Sequence, residues 1–269
     1  MNNDYLRLIN KLEKEGLTYN YKVRKAGDFL KVEKLDIPKE KTKLAIGKPR
    51  QTKKHTDTKT KNENDINKLL NSRLKQFNIK RDYLVDLVKQ NMTTKDYFIT
   101  LTFKNEITSI KQANYQFNKY IKRLKYNHKK EIKYINVPEI QKEREQKTGK
   151  KVIHFHTIFF DFDRINATKL RNIWSQGRIH IAKIKHQNDA VAKYITKYLT
   201  KQLDFDRGTK SFYKSRNLKE PEVYYDNKIK ENLQQYEIKD TGQYKDKFGR
   251  VIKYTNYKKK SWQKIGKPL

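Results

Sequence analysis

Apolar and polar positions alternate most cleanly in the middle of the chain. Residues 97–103 (YFITLTF) place Tyr97, Ile99, Leu101 and Phe103 on one face of a strand, and Phe98, Thr100 and Thr102 on the other. Residues 110–126 then switch to helical spacing, with Ile110, Ala113, Phe117, Tyr120, Ile121 and Leu124 forming one stripe. Residues 133–140 and 152–160 read as two strands, and the Lys147-Thr148-Gly149-Lys150 stretch between them suits a hairpin turn. A short helix over 167–174, an alternating strand over 177–184 (GRIHIAKI) and a helix capped by Asn188 or Asp189 and running to about Leu203 complete the pattern. The order β-α-β-β-α-β followed by a helix predicts an α+β fold. It is the ferredoxin-like (RRM-like) antiparallel sheet, with two helices on one face and the last helix free to lie on the open one.

The flanks are less regular. Residues 5–15 suit a short amphipathic helix, and the sequence from there to 46 is weakly patterned. Residues 47–65 (GKPRQTKKHTDTKTKNEND) contain no apolar side chain and read as a linker or mobile basic segment. Helical spacing returns over 66–90 through Leu69, Leu70, Leu74, Phe77, Tyr83, Leu84, Leu87 and Val88. Past residue 203 tyrosines and lysines interleave, and KDKFGRVIKYT resembles a strand pair around Phe248-Gly249. The expected organisation is a helical and basic region over 1–92, a central domain over 93–203 and a basic, tyrosine-rich region over 204–269.

Composition narrows the class of partner. The 269 residues hold 64 Lys and Arg against 30 Asp and Glu, a net charge of +34. Such an excess repels itself unless an anion offsets it, and nucleic-acid phosphates do so with release of counterions. The 18 Tyr and 12 Phe supply core material, and also rings on which unpaired bases stack. Absence of cysteine excludes disulfides and thiolate metal sites. With no apolar run of membrane-spanning length and no signal-like N-terminus, a cytoplasmic location in a bacterial host is expected.

Two segments carry candidate chemistry. In VIHFHTIFF, His154 and His156 lie two apart on a strand and project from one face, half of a metal site. Glu139 on the partner strand would lie beside them and is preferred as third ligand, because a carboxylate supplies charge for a hard cation; Gln141 shares its face and is the reserve choice. The HxHxDH run of metallo-β-lactamases is absent, since Ile158 and Phe159 occupy its acidic and final histidine positions. In VAKYITKYLTK, Tyr194 and Tyr198 stand one helical turn apart, each followed three residues later by Lys197 or Lys201. Taken alone, these tyrosines suit the half-buried rim of an amphipathic helix. His180 lacks a partner at ligand spacing and reads as structural or DNA-contacting; His55, His128 and His186 read as surface residues.

In order along the chain, FITLTF, HFH and YITKYLTK, with Trp174-x-x-Gly177 between the last two, resemble the motifs of rolling-circle replication initiators of the HUH endonuclease superfamily. The doubled tyrosine resembles the two-tyrosine class found in bacteriophage and plasmid initiators. The resemblance spans roughly residues 96–202. It implies that His154, His156 and Glu139 hold Mg²⁺ or Mn²⁺, and that Tyr194 and Tyr198 are nucleophiles that join a 5′ phosphate. Lys197 assists phenolate formation, and Tyr194 makes the first cleavage. Thr100, Thr102, Gln141, Lys193 and Lys201 are the expected DNA contacts. The substrates would be single-stranded and origin DNA, with a host helicase and DNA polymerase as partners. The same motifs suit a transposase or a mobilisation relaxase. A catalytically silent ferredoxin-like nucleic-acid-binding module is the alternative of a different class.

Overall fold

A computed structural model describes residues 13–40, 63–162, 166–184, 189–200, 210–246 and 249–260. Along the chain run β1 (Thr18–Ala26), β2 (Phe29–Glu40), α1 (Glu63–Asn91), β3 (Tyr97–Thr102), α2 (Ile110–His128), β4 (Lys133–Ile140), α3 (Lys142–Thr148) and β5 (Ile153–Phe160). They are followed by α4 (Ala167–Trp174), β6 (Ile179–Lys183), α5 (Asp189–Thr200), β7 (Tyr213–Lys214), β8 (Glu222–Asp226), β9 (Tyr236–Lys245) and β10 (Val251–Lys259). They form two compact units: Ser72–Glu220, and Met1–Asn71 with Pro221–Leu269. These units cut the chain differently from the boundaries at 92 and 203, because both ends of the chain contribute to one of them. The helix expected over 5–15 and the linker over 47–65 fall mostly outside the described residues.

In the central unit the antiparallel sheet has the order β6-β3-β5-β4-β7. Its first four strands carry the ferredoxin-like arrangement that the β-α-β-β-α-β order predicts. One face is closed by α2 and α4: Phe117, Tyr120, Leu124, Leu170 and Trp174 pack on Ile99, Leu101, Phe103, Phe155 and Phe159. Ser109 caps α2 by accepting from the Gln112 N–H, a typical N-cap bond that satisfies one otherwise orphaned donor.

The other face is more fully covered than the sequence suggests. Ala192, Ile195, Tyr198 and Leu199 of α5 lie on it as expected, and Leu84, Leu87 and Val88 of α1 join them over Phe98, Ile135, Val137, Ile158 and Phe160. The Tyr83 hydroxyl of α1 donates to Glu220, and Lys214 of β7 donates to the Tyr83 oxygen at 2.6 Å. Coverage on both sides explains why β5 is buried over nearly its whole length. The turn expected around Gly149 is instead the short helix α3, because KEREQKT consists largely of good helix formers. Gly149 ends it in the left-handed conformation (φ 69°), its N–H bonded to the Glu145 carbonyl.

Gly177 fixes where β6 meets the end of β3. A Cβ there would stand 2.3 Å from the Thr102 carbonyl oxygen and 2.5 Å from the Lys104 nitrogen. These backbone atoms belong to the strand edge that is bonded through Thr102 N–H to Arg178 O and Lys104 N–H to Gln176 O. Gly177→Ala must therefore push β6 away, and should lower stability by about 1–3 kcal/mol. An unchanged urea midpoint would contradict this packing.

The second unit is a sheet of order β8-β1-β2-β10-β9. The strand pair expected near Phe248-Gly249 is the β9–β10 hairpin, with Val251 opposite Lys245. Residues 18–40, weakly patterned in sequence, are the β1–β2 hairpin rather than part of a helical region. Their lysines and aromatics sit on both faces and blur the period-two signal. Burial pushes the Glu33 carboxyl up, but Lys22 at 3.4 Å and Lys31 at 3.0 Å outweigh it and hold it below the usual carboxylate range. A carboxyl held low in the folded state stabilises above its unfolded pKa of about 4.3, and that contribution fades as pH falls through the folded value. Glu33→Gln should thus flatten the acid side of the unfolding profile below about pH 4.5; a wild-type-like acid slope in the variant would count against it.

Candidate active site

Strand register assembles the site on the face that α1 and α5 cover. Thr102 (β3), His154 (β5) and Glu139 (β4) form one cross-strand row, and His180 (β6), Thr100, His156 and Val137 form the next. His154 and His156 share a face because they are two apart on β5. Glu139 joins them because β4 places it directly opposite His154.

His156 is held on every side. It is 6% exposed, its Nε2–H donates to the Glu139 carboxylate, and its Nδ1 accepts from the Thr100 hydroxyl at 3.3 Å. The Tyr198 ring stacks on its face, with centroids 3.6 Å apart and planes 11° apart. Phe98 also stacks on it at 5.9 Å. His154 is half-buried, its ring centroid 6.4 Å from that of His156. Gln141 continues the β4 face; its Oε1 is buried and its N–H bonds the Val152 carbonyl.

The two tyrosines differ. Ala192, Ile195 and Leu199 anchor α5 in the core, which leaves Tyr194 and Tyr198 one turn apart at the edge of the buried face. Tyr198 is 5% exposed and Tyr194 45%. The Tyr198 hydroxyl donates to the Tyr194 hydroxyl at 2.7 Å. Burial pushes the Tyr198 phenol well above the ordinary tyrosine range, and the hydrogen bond to Tyr194 and the Tyr194 and Glu139 charges push the same way. It is therefore neutral at pH 7. Lys197 Nζ lies 4.4 Å from the Tyr194 ring centroid and 5.4 Å from that of Tyr198. Its ammonium is the nearest cationic counterpart for a Tyr194 phenolate.

Of the residues picked out from sequence, Glu139, His156, Thr100, Tyr194, Tyr198 and Lys197 meet in one cluster, and His154, Thr102 and Gln141 line the same face beside it. Lys193 is exposed on the outer side of α5, and Lys201 lies outside the described residues. Phe98, which touches His156, Tyr194 and Tyr198, was missed; its place beside Thr100 in the strand alternation was the available signal. His180 proves to stand opposite Thr100, exposed, on the same face.

Two imidazoles and a carboxylate on one face make a donor set whose chemistry suits a divalent cation with mixed nitrogen and oxygen ligands. Among the described residues no three such side chains are already drawn together as a metal cluster, since Glu139 is engaged with His156. Rotation of the Glu139 carboxylate off Nε2 is the rearrangement that would open this nitrogen to a ligand.

Among the described residues no helix is long and apolar enough to cross a membrane. No curated protein and no solved structure matches the chain. Residues 96–203, less than half of the chain, match the family model described as Replication-associated protein ORF2, so the segment carrying the histidines, Glu139 and both tyrosines is similar to a protein of the replication-initiator class.

Proposed function

We propose that the protein nicks and rejoins single-stranded DNA through a 5′-phosphotyrosine intermediate, as a two-tyrosine HUH initiator of rolling-circle replication. The observation that carries this reading is the convergence of both phenols with the histidine–carboxylate pair on one face of one sheet, with Tyr198 stacked on His156. The match to a replication-associated family over the same residues supports it.

A Tyr194 oxygen attacks the scissile phosphorus, the bond from phosphorus to the 3′ oxygen breaks, and the chain becomes joined to the 5′ phosphate. The phenol proton leaves to solvent and the departing 3′ oxygen gains one. Tyr198 donates a hydrogen bond to the attacking oxygen, and Lys197 offsets its negative charge. His154, His156 and Glu139 would hold Mg²⁺ or Mn²⁺, which when bound supplies charge stabilisation at the phosphate oxygens. Thr100 fixes the His156 ring through Nδ1. The free 3′-OH then primes a host polymerase, while a host helicase opens the duplex. Because the ester conserves the bond, rejoining requires no ATP, and the second phenol can cut the regenerated junction while the first still carries DNA.

The test is incubation with supercoiled DNA carrying the cognate origin and Mn²⁺. Nicked circles and a detergent-resistant protein–DNA adduct are expected. Tight binding without any metal-dependent cleavage would instead favour a silent binding module.

A further inference from the structure

The layer on the far side of the sheet from the site has a charge pattern that neither packing nor nicking explains. Helices α2 and α4 carry seven Lys and Arg and no Asp or Glu. They lie together, with Arg123 donating to the Ser175 hydroxyl and the Trp174 carbonyl. A helix face that merely meets water usually mixes both signs, because like charges one turn apart repel. Here Lys119 stands one turn from both Lys122 and Arg123, and the exposed Lys169 and Arg171 of α4 add to the same sign.

Two large rings stand out of this basic surface. Tyr126 is 85% exposed and Tyr115 56%. They fall with Lys111, Lys119 and Lys122 on a single stripe at helical spacing, opposite the buried Phe117 and Tyr120. Lys119 Nζ sits 4.4 Å from the Tyr115 ring centroid. The rings are eleven residues apart, which is about 16 Å along a helix.

We propose that this outer face of α2 and α4 is a second binding surface, for single-stranded DNA, separate from the nicking face. The lysines meet phosphates, and the tyrosines stack on bases. Duplex DNA keeps its base faces covered and has no use for exposed rings, so an unpaired strand is the occupant that uses both features. A strand held here is away from the phenols, where the chain needs to keep hold of DNA it is not cutting.

The proposal does not depend on cleavage and is tested without divalent metal, on the full chain, with a fluorescent oligothymidine read by anisotropy. Tyr115→Ala/Tyr126→Ala leaves the charge untouched and is expected to weaken oligothymidine binding about tenfold or more, with duplex affinity unchanged. Lys111→Gln/Lys119→Gln/Lys122→Gln is expected to make the slope of log affinity against log salt shallower by about 2. Iodouracil-substituted oligonucleotide should cross-link the wild type at Tyr115 or Tyr126. Wild-type oligothymidine affinity in the tyrosine variant overturns the proposal. Equal losses on duplex and single strand, or cross-links confined to other segments, overturn it as well. Nicking of the cognate origin reports on the other face, so either reading can fail while the other stands.

Discussion

Tyr194→Phe is expected to slow the first cleavage of a pre-melted origin oligonucleotide by more than about a thousandfold, since a lost nucleophile is among the costliest changes a site can suffer. Tyr198→Phe keeps the stack on His156 and removes only the hydroxyl that donates to Tyr194. A hydrogen bond to a developing phenolate contributes about 1.5–3 kcal/mol, so this variant should cleave roughly ten to a hundred times more slowly. The asymmetry follows from burial. Tyr194 is half-exposed and reachable by a phosphate, whereas Tyr198 is covered by its neighbours and held neutral. Peptide mapping of the adduct after a single turnover is the deciding measurement. It should place the DNA on Tyr194 in wild type and in Tyr198→Phe, with none on the double phenylalanine variant. An adduct found first on Tyr198 reverses the order, and one that survives in the double variant removes both phenols from the chemistry.

How far such a site is legible in sequence depends on how local its determinants are. β3, α2 and β5 stand out because each writes its period within one element: alternation in YFITLTF, a stripe through Phe117 and Leu124, an apolar run interrupted by two histidines. Glu139 could be placed beside His154 because β4 and β5 are consecutive strands, and inserting α3 between them left the pairing intact. The terminal sheet was not legible. There β2 pairs with β10 across more than two hundred residues, and no local pattern records a partner that distant. Nor does α1 announce that Leu84, Leu87 and Val88 cover the face which carries the site. Phe98 illustrates the same limit at single-residue scale. Its direction was readable, but its contact with both tyrosines depends on how α5 crosses the sheet.

Glu139→Gln is expected to remove most of the cation affinity of the site, at least about a hundredfold, while leaving the fold in place. The amide preserves the shape of the carboxylate and can still accept from His156 Nε2–H, so the buried imidazole keeps a partner. What is lost is the negative charge, the one anionic donor that the cluster offers to a divalent ion. Glu139→Ala differs in kind. It strips the partner from a ring that is 6% exposed, and a buried group left without its hydrogen bond costs about 1–3 kcal/mol in stability before any metal is added. Thermal unfolding with and without Mn²⁺ separates these effects, because a ligand at a hundred times its dissociation constant stabilises the folded state by about 2.7 kcal/mol. Wild type should gain that increment, Glu139→Gln should start from nearly the same baseline and gain little, and Glu139→Ala should start lower and gain little. Equal Mn²⁺-induced shifts in wild type and Glu139→Gln would take Glu139 out of the ligand set, with Gln141, on the same face of β4, as the next residue to replace.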